Sequence, residues 1–93
     1  MTIIWARPAR DSFISHMEYL TDRTPAAARR VSSAILESIR ILQSSPFIGR
    51  PGRWPDTREL IIEKFPYIVA CRIHVDSIEI LYIHHTRQNW PDQ

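Results

Sequence analysis

The side chains of this 93-residue chain that could take part in chemistry are four histidines and an unusually large set of arginines. Eleven of the twelve basic residues are arginine, and Lys64 is the exception. Arginine binds phosphate and carboxylate groups through a planar fork of donors and stacks on aromatic rings, so this bias fits contact surfaces. A genome rich in G and C would produce the same bias. The net charge of +2 does not by itself establish nucleic-acid binding.

The candidate reactive set is His85, Arg72 and Arg87, with Arg58 as a further member. These side chains could converge at one edge of a predicted sheet. A histidine beside arginines could act as the proton donor in phosphoryl-transfer chemistry on RNA. The same residues could equally form a hydrogen-bonding rim around a site for a protein partner. The residues alone favour this second interpretation.

The remaining histidines predict no separate site. His16 lies in the middle of a predicted helix and is most simply a surface residue, and His74 is expected to pair with Glu79 across two strands. His84 and His85 are neighbours in a strand and point to opposite faces, so they cannot chelate one metal ion together. No Cys or His spacing resembles a zinc site, and no glycine-rich phosphate loop is present. The sequence therefore predicts neither a metal nor a cofactor.

Length and composition predict a single folded domain over residues 1–93. The chain is 44% apolar and 24% charged, which is ordinary for a globular protein. No apolar run approaches the roughly 20 residues needed to span a membrane, and the N-terminus lacks a signal-peptide pattern. The single cysteine, Cys71, cannot form an internal disulfide and is expected to be buried. The predicted location is the cytoplasm, with no membrane partner.

The first half of the chain predicts one strand and two helices. Residues 2–6 form a short strand candidate, and Pro8 suits the first turn of a helix that should end near Asp22-Arg23. Thr24-Pro25 predicts a second helix that starts with a hydroxyl cap and a proline at its first position. Ser44-Ser45-Pro46 should end it. Because the connector is short, the two helices should form an antiparallel hairpin.

The second half predicts a loop and three strands. Residues 46–57 contain three prolines and both glycines, which is typical of a loop. Three β-branched runs follow, at residues 58–63, 67–75 and 78–85. The predicted fold class is therefore α+β: an N-terminal strand, an antiparallel helical hairpin, and a three-stranded antiparallel meander, with the helices packed on one face of a single sheet.

A two-residue turn at Asp76-Ser77 would place Cys71, Ile73 and Ile80 on the face that meets the helices. The opposite face would then have an apolar centre of four residues: Ile68, Ala70, Leu81 and Ile83. A one-residue slip would exchange the two faces. Because both helices precede the sheet, this opposite face is expected to be open, and an open apolar face usually marks a partner site. The alternative is that the C-terminal tail covers it.

The order of these elements resembles the RelE/ParE superfamily of toxins from type II toxin–antitoxin modules. The resemblance also rests on four fragments: Pro46-Phe47-Ile48-Gly49-Arg50, Thr57-Arg58-Glu59-Leu60, Tyr67-Ile68-Val69-Ala70-Cys71-Arg72-Ile73 and His85-Thr86-Arg87-Gln88-Asn89-Trp90-Pro91. It implies a cognate antitoxin whose C-terminal segment wraps the toxin and whose N-terminal part binds operator DNA. Members similar to RelE cleave mRNA in the ribosomal A site, whereas members similar to ParE poison DNA gyrase and do not cut RNA.

The chain departs from the RelE-like nucleases in two places. Tyr67 and Ile68 stand where those enzymes usually carry an arginine, and the loop lysines are missing. The resemblance is therefore closer to the ParE-like branch, and implies a growth inhibitor that acts on gyrase by protein–protein contact. The alternatives are a ribosome-dependent mRNA endoribonuclease that uses His85, Arg72 and Arg87, and a non-toxic co-repressor that works only with its antitoxin.

Two contact surfaces are expected under the ParE-like interpretation. The residues expected to contact the target are Arg50, Arg53, Trp54, Arg58, Arg87 and Trp90. The residues expected to contact the antitoxin are Ile68, Ala70, Leu81 and Ile83.

Overall fold

In the computed structural model, residues 1–62 and 64–86 are described, and they form two helices and five strands. The elements are β1 (Thr2–Trp5), α1 (Arg7–Arg23), α2 (Pro25–Ser44), β2 (Arg50–Pro51), β3 (Thr57–Ile62), β4 (Tyr67–Ile73) and β5 (Ser77–His85). The strands make one sheet in the order β1-β5-β4-β3-β2. β1 runs parallel to β5, and the other neighbours are antiparallel. The predicted α+β class, with a single sheet and a helical hairpin, is confirmed.

The predicted loop contains a strand that the sequence did not reveal. β2 has only two residues, and it pairs with β3 through Arg50 opposite Glu59 and Pro51 opposite Arg58. A two-residue strand has no periodicity to detect, and proline has no N–H to donate to a ladder, so it is confined to sheet edges. β2 accordingly lies at the edge of the sheet.

The helical hairpin begins and ends where proline and the apolar pattern predicted. Pro8 and Pro25 lie in the first turns of α1 and α2, where a missing N–H costs nothing. The predicted hydroxyl cap is wrong, because the Thr24 side chain makes no capping hydrogen bond. Thr24 is the whole connector, so its backbone serves both helices: its N–H donates to the Leu20 carbonyl, and its carbonyl accepts from the Ala28 N–H.

The core lies between α2, α1 and one face of the sheet. The predicted apolar stripe of α2 is buried: Val31, Ile35, Ile39 and Leu42. It packs with sheet residues such as Val69 and Ile80, both fully buried. α1 has only Ala9 fully buried, and its Phe13, Met17 and Leu20 pack against the core while partly exposed. Burial of one Leu or Ile side chain stabilises the fold by about 1.5–3 kcal/mol, and this stripe therefore anchors α2.

The turn between β4 and β5 differs from the prediction. Ile73 pairs with Ile78, and the His74 N–H donates to the Ser77 carbonyl at 2.8 Å, so the connection is longer than the predicted Asp76-Ser77 turn. The change shifts the register by two residues, which leaves each side chain near the turn on its predicted face. The predicted contact between His74 and Glu79 is present, with 3.0 Å between Nε2 and Oε1.

A β-bulge in β5 then exchanges the faces of its second half. Cys71 pairs with Ile80, but Ala70 pairs with Tyr82, which leaves Leu81 as the extra residue. Ile83 was predicted on the face away from the helices, and this is wrong. It belongs to the helix-side core.

The face opposite the helices is not the open apolar surface that was predicted. The exposed fraction is only 9% for Ile68 and 3% for Ala70. Ala70 lies between Glu59 on β3 and Tyr82 on β5, which are both larger. Of the four residues predicted to form the open centre, only Leu81 keeps intermediate exposure on the described structure.

Candidate functional site

The loop before β3 lines an open cavity of about 620 Å³, which we call the loop pocket. Its lining includes Phe47, Arg53, Trp54, Asp56 and Arg58, together with Ile73 from the end of β4. The structure therefore brings three of the residues predicted to contact the target, Arg53, Trp54 and Arg58, to one concave surface.

The loop pocket is built by close backbone packing. A Cβ atom on Gly52 would lie 2.3 Å from the Thr57 hydroxyl oxygen, so only glycine fits there. The Gly52 N–H donates to the Thr57 carbonyl at 2.8 Å. The Thr57 hydroxyl donates to the Trp54 carbonyl and accepts from the Trp54 N–H at 3.2 Å. Asp56 has φ of 62°, a left-handed conformation that Asp tolerates better than most residues.

The arginines around the pocket are held in different ways. Arg58 donates to the Gly49 carbonyl at 2.9 Å, and its guanidinium lies 5.1 Å from the centre of the Phe47 ring. The Arg53 guanidinium lies 5.9 Å from the centre of the Trp54 ring, within the range of a cation–π contact. Arg53 and Arg58 therefore each lie beside an aromatic ring of the pocket lining.

Arg50 lies next to the pocket on β2 but points to the sheet. It donates to one carboxylate oxygen of Glu59, at 3.0 Å from Nε and 2.9 Å from Nη2. The Glu59 side chain is only 10% exposed, so this ion pair is shielded from water on its acidic side. The first role of Arg50 is therefore to neutralise the buried Glu59 carboxylate and donate hydrogen bonds to it. The other residues predicted to contact the target, Arg87 and Trp90, lie outside the described residues.

The predicted catalytic set is not assembled among the described residues. His85 pairs with Tyr67 at one end of β4, whereas Arg72 pairs with Glu79 near the other end. At the usual rise of a strand, Tyr67 and Arg72 are about 17 Å apart. The two side chains also point to opposite faces, because the bulge turns His85 toward the helices. The prediction that they converge is wrong, and Arg87 lies outside the described residues.

His85 instead joins a group that the sequence did not reveal, which we call the histidine–tyrosine cluster: His16, Tyr19, Tyr67 and His85. The Tyr67 hydroxyl is hydrogen-bonded to His16 Nε2. The Tyr67 ring stands edge-on to both imidazoles, with centroids 5.2 Å from His16 and 5.4 Å from His85. His16 stacks on Tyr19 at 6.1 Å, and the Arg23 guanidinium lies 3.7 Å from the centre of the Tyr19 ring.

The prediction that His16 is simply a surface residue is wrong, because its side chain is partly buried and hydrogen-bonded to Tyr67. A signal was present, because His16 falls between Phe13 and Leu20 on the apolar stripe of α1. Burial lowers the pKa of His16, and the nearby His85 lowers it further. Burial raises the pKa of Tyr67. The surroundings therefore favour the neutral forms of His16 and Tyr67.

Two further buried groups have shifted pKa values. Burial is also the largest cause that lowers the pKa of His84, on the opposite face. Burial raises the pKa of the Cys71 thiol to about 11, which makes it unreactive.

Within residues 1–62 and 64–86, no three His, Cys, Asp or Glu side chains lie close enough together to hold a metal ion. No helix in the same part of the chain is long and apolar enough to cross a membrane.

The fold is that of a small toxin of the RelE/ParE type, and comparison with known proteins supports this class. The family model described as "ParE toxin of type II toxin-antitoxin system, parDE" matches residues 3–90. The chain therefore belongs to the ParE toxin family. It is 42% identical over 73 residues to the protein named "Putative toxin Y4kP" from Sinorhizobium fredii (strain NBRC 101917 / NGR234), covering 78% of this chain and 75% of that protein.

Two solved structures have similar folds. The first is described as "Chromosomal ParDE TA system from P. aeruginosa", with a TM-score of 0.81 and 26% identity over 94% of this chain and 97% of that one. The second is the isolated E. coli RelE toxin, with a TM-score of 0.60 and 9% identity over 95% of this chain and 86% of that one. At 9% identity the second likeness concerns the fold alone.

Proposed function

We propose that this protein is a growth-inhibiting toxin that acts on DNA gyrase by protein–protein contact and is neutralised by a cognate antitoxin. Membership of the ParE family supports the toxin class and an antitoxin partner. One geometric observation supports contact over RNA cleavage: His85 and Arg72 lie at opposite ends of β4 and on opposite faces. A gyrase poison would act in the cytoplasm. Operator DNA would be bound through the antitoxin.

The loop pocket is the surface that we assign to the target. Arginine and tryptophan are the residue types that most often dominate the binding energy of protein interfaces. Arg58 is fixed by the Gly49 carbonyl, and the loop backbone is fixed by the Trp54–Thr57 hydrogen bonds. A surface that is ordered before binding loses less conformational entropy when it binds.

For the antitoxin, accessible apolar surface points to the helical hairpin rather than to the sheet. Of the predicted contact residues, Ile68 and Ala70 are buried and Ile83 lies in the core, so only Leu81 remains accessible. A groove of about 350 Å³ runs between α1 and α2 and is lined by Phe13, Met17, Thr21, Pro25, Ala28, Arg29, Ser32 and Leu36. We therefore propose that an amphipathic segment of the antitoxin lies in this groove, as apolar helix faces do in other peptide complexes.

The proposal is tested with purified protein, gyrase and relaxed plasmid DNA. We expect inhibition of supercoiling or accumulation of cleaved gyrase–DNA complexes. Trp54→Ala should weaken this effect at least tenfold, as removal of a central aromatic anchor does. Arg10→Ala, an exposed arginine on α1, is the control and should leave inhibition unchanged.

The alternatives give different outcomes in cells. Pulse-labelling of DNA, RNA and protein synthesis after induction identifies the first process to stop. Arrest of translation before replication, with supercoiling untouched, would refute the gyrase proposal and favour the ribosome-dependent nuclease. In that case His85→Ala should abolish toxicity while antitoxin binding survives. Harmless overexpression without the antitoxin would favour the co-repressor.

A further inference from the structure

The histidine–tyrosine cluster joins three elements at one point of the fold. His16 and Tyr19 come from α1, Tyr67 is the first residue of β4, and His85 is the last residue of β5. The His16–Tyr67 hydrogen bond is the direct polar link between α1 and β4 in this cluster. Close by, the Ser12 hydroxyl donates to the Ile83 carbonyl at 3.3 Å and so also ties α1 to β5.

Two cavities adjoin His16, and their linings contain no carboxylate among the described residues. A small, partly open cavity of about 40 Å³ is lined by Ser12, Phe13, His16, Met17, Ile35, Tyr67, Ile83 and His85. An open cavity of about 490 Å³ is lined by Ser12, Ser15, His16, Tyr19 and His85. The element α2 contributes only the apolar Ile35 to this environment. The cation Arg23 lies over the Tyr19 ring, on which His16 stacks.

This environment suits a neutral imidazole and opposes a charged one. Neutral His16 can accept the Tyr67 hydroxyl proton at Nε2. A protonated imidazole has donors on both nitrogens, so it can only donate to Tyr67. The Tyr67 hydroxyl proton would then need another acceptor. The imidazolium of His16 would also lie close to His85, whose proximity disfavours a positive charge on His16, and no carboxylate among the described residues lines the two cavities to compensate that charge.

We propose that His16, Tyr67 and His85 form a proton-operated clasp that ties α1 to the paired ends of β4 and β5. The clasp is closed when His16 is neutral and opens when acidification charges it. Opening frees the middle of α1 from the sheet while the α2 stripe keeps the core packed. The lowered pKa of His16 agrees with this direction, because the closed state disfavours the proton.

The size of the response follows from linkage. If the pKa of His16 is lower in the closed state than in the open state, the open population rises as pH falls through the ordinary histidine range near 6.5. Each pKa unit of difference corresponds to a change of up to about tenfold in the opening equilibrium. Stability of the clasp is complete above this range and is lost below it.

The test is amide hydrogen exchange at pH 7.5 and pH 5.5, corrected for the intrinsic exchange rate at each pH. We expect several-fold faster exchange at pH 5.5 in the middle of α1 and at the end of β5, with little change in α2. His16→Gln keeps a neutral acceptor for the Tyr67 hydroxyl, so it should abolish the difference between the two pH values. Tyr67→Phe should give the faster exchange at both.

His84→Gln is the matched control, because His84 is also largely buried with a lowered pKa but lies on the opposite face. It should keep the pH response of α1. Equal protection of wild-type α1 at both pH values would overturn the proposal, and so would an unchanged response in His16→Gln. NMR titration of the wild-type protein gives an independent readout: a His16 pKa at or above 6.5 would also overturn it. None of these measurements depends on the target of the toxin.

Discussion

Substitution of Gly52 by alanine should have two opposing effects on the free energy of unfolding, and the structure predicts the sign of each. Gly52 has no positive φ, so alanine can adopt the backbone conformation. In open space such a change would stabilise the protein by about 0.4–1 kcal/mol, because it reduces the freedom of the unfolded chain. Here the new methyl group would lie 2.3 Å from the Thr57 hydroxyl oxygen and 3.0 Å from the Thr57 Cβ. Overpacking of this kind costs about 1–3 kcal/mol.

The clash also affects the hydrogen bonds that shape the loop pocket. To make room, Thr57 must move, and its hydroxyl then loses its bonds to the Trp54 N–H and carbonyl, worth about 1 kcal/mol each. Together with the overpacking and less the gain from the unfolded chain, we therefore expect Gly52→Ala to lower the free energy of unfolding by about 2–4.5 kcal/mol. The same displacement should weaken gyrase inhibition, because Trp54 and Arg58 line the pocket.

A double-mutant cycle with Thr57→Ala identifies the cause. Thr57→Ala removes the clashing oxygen and the two hydrogen bonds together, so the loss in the double variant should be smaller than the sum of the two single losses by about 1 kcal/mol or more. Urea unfolding followed by tryptophan fluorescence measures the free energy of unfolding of the wild type, the two single variants and the double variant. Additive losses, or a Gly52→Ala protein as stable as wild type, would refute this explanation of the loop.

Three further predictions concern the core, the pH response and the thiol. Ile35→Ala should lower the free energy of unfolding by about 2–5 kcal/mol, because Ile35 is fully buried. Leu36→Ala should lower it by no more than about 1 kcal/mol, because Leu36 is half exposed in the groove between α1 and α2. Equal effects in urea titrations would contradict the packing of α2. Because the pKa values of His16 and His84 are lowered in the folded protein, the unfolded chain binds more protons than the folded one as the pH falls. The contribution of these two residues to the free energy of unfolding should therefore be full above pH 6.5 and fall below it. Denaturant midpoints that stay constant from pH 7.5 to 5.5 would contradict this. Cys71, buried and with a pKa of about 11, should react with a thiol reagent at pH 8 only at the rate of unfolding; rapid labelling of the native protein would show that the strand is accessible.

The parts of the fold that could be predicted from the sequence are those that local chemistry decides. Proline at the first turn and the apolar repeat of Val31, Ile35 and Ile39 specify helices whatever they pack against, and both helices end within a residue or two of the predicted positions. The family could be recognised for the same reason, since its fragments follow in order along the chain. The loop pocket was partly predictable too, because Arg53, Trp54 and Arg58 are close in sequence.

The parts that could not be predicted depend on pairing between distant residues. β1 pairs in parallel with β5, across most of the chain, and β2 is a strand only because β3 lies beside it. A single extra residue at Leu81 turns Ile83 into the core and His85 toward His16. Such a bulge cannot be detected from the alternation of apolar and polar residues in the sequence, because the side chains still alternate between the two faces on either side of the bulge.

The sequence by itself therefore determined the class of this protein, its helices and the composition of its contact loop, because these follow from residue type and short-range spacing. The tertiary structure alone decided which face each strand residue occupies. It buried Ile68 and Ala70, separated His85 from Arg72, and brought His85 to His16 and Tyr67. The physical reason is that the side-chain period of a strand is two, so a shift of one residue exchanges its faces, and only the packed sheet fixes where that shift occurs.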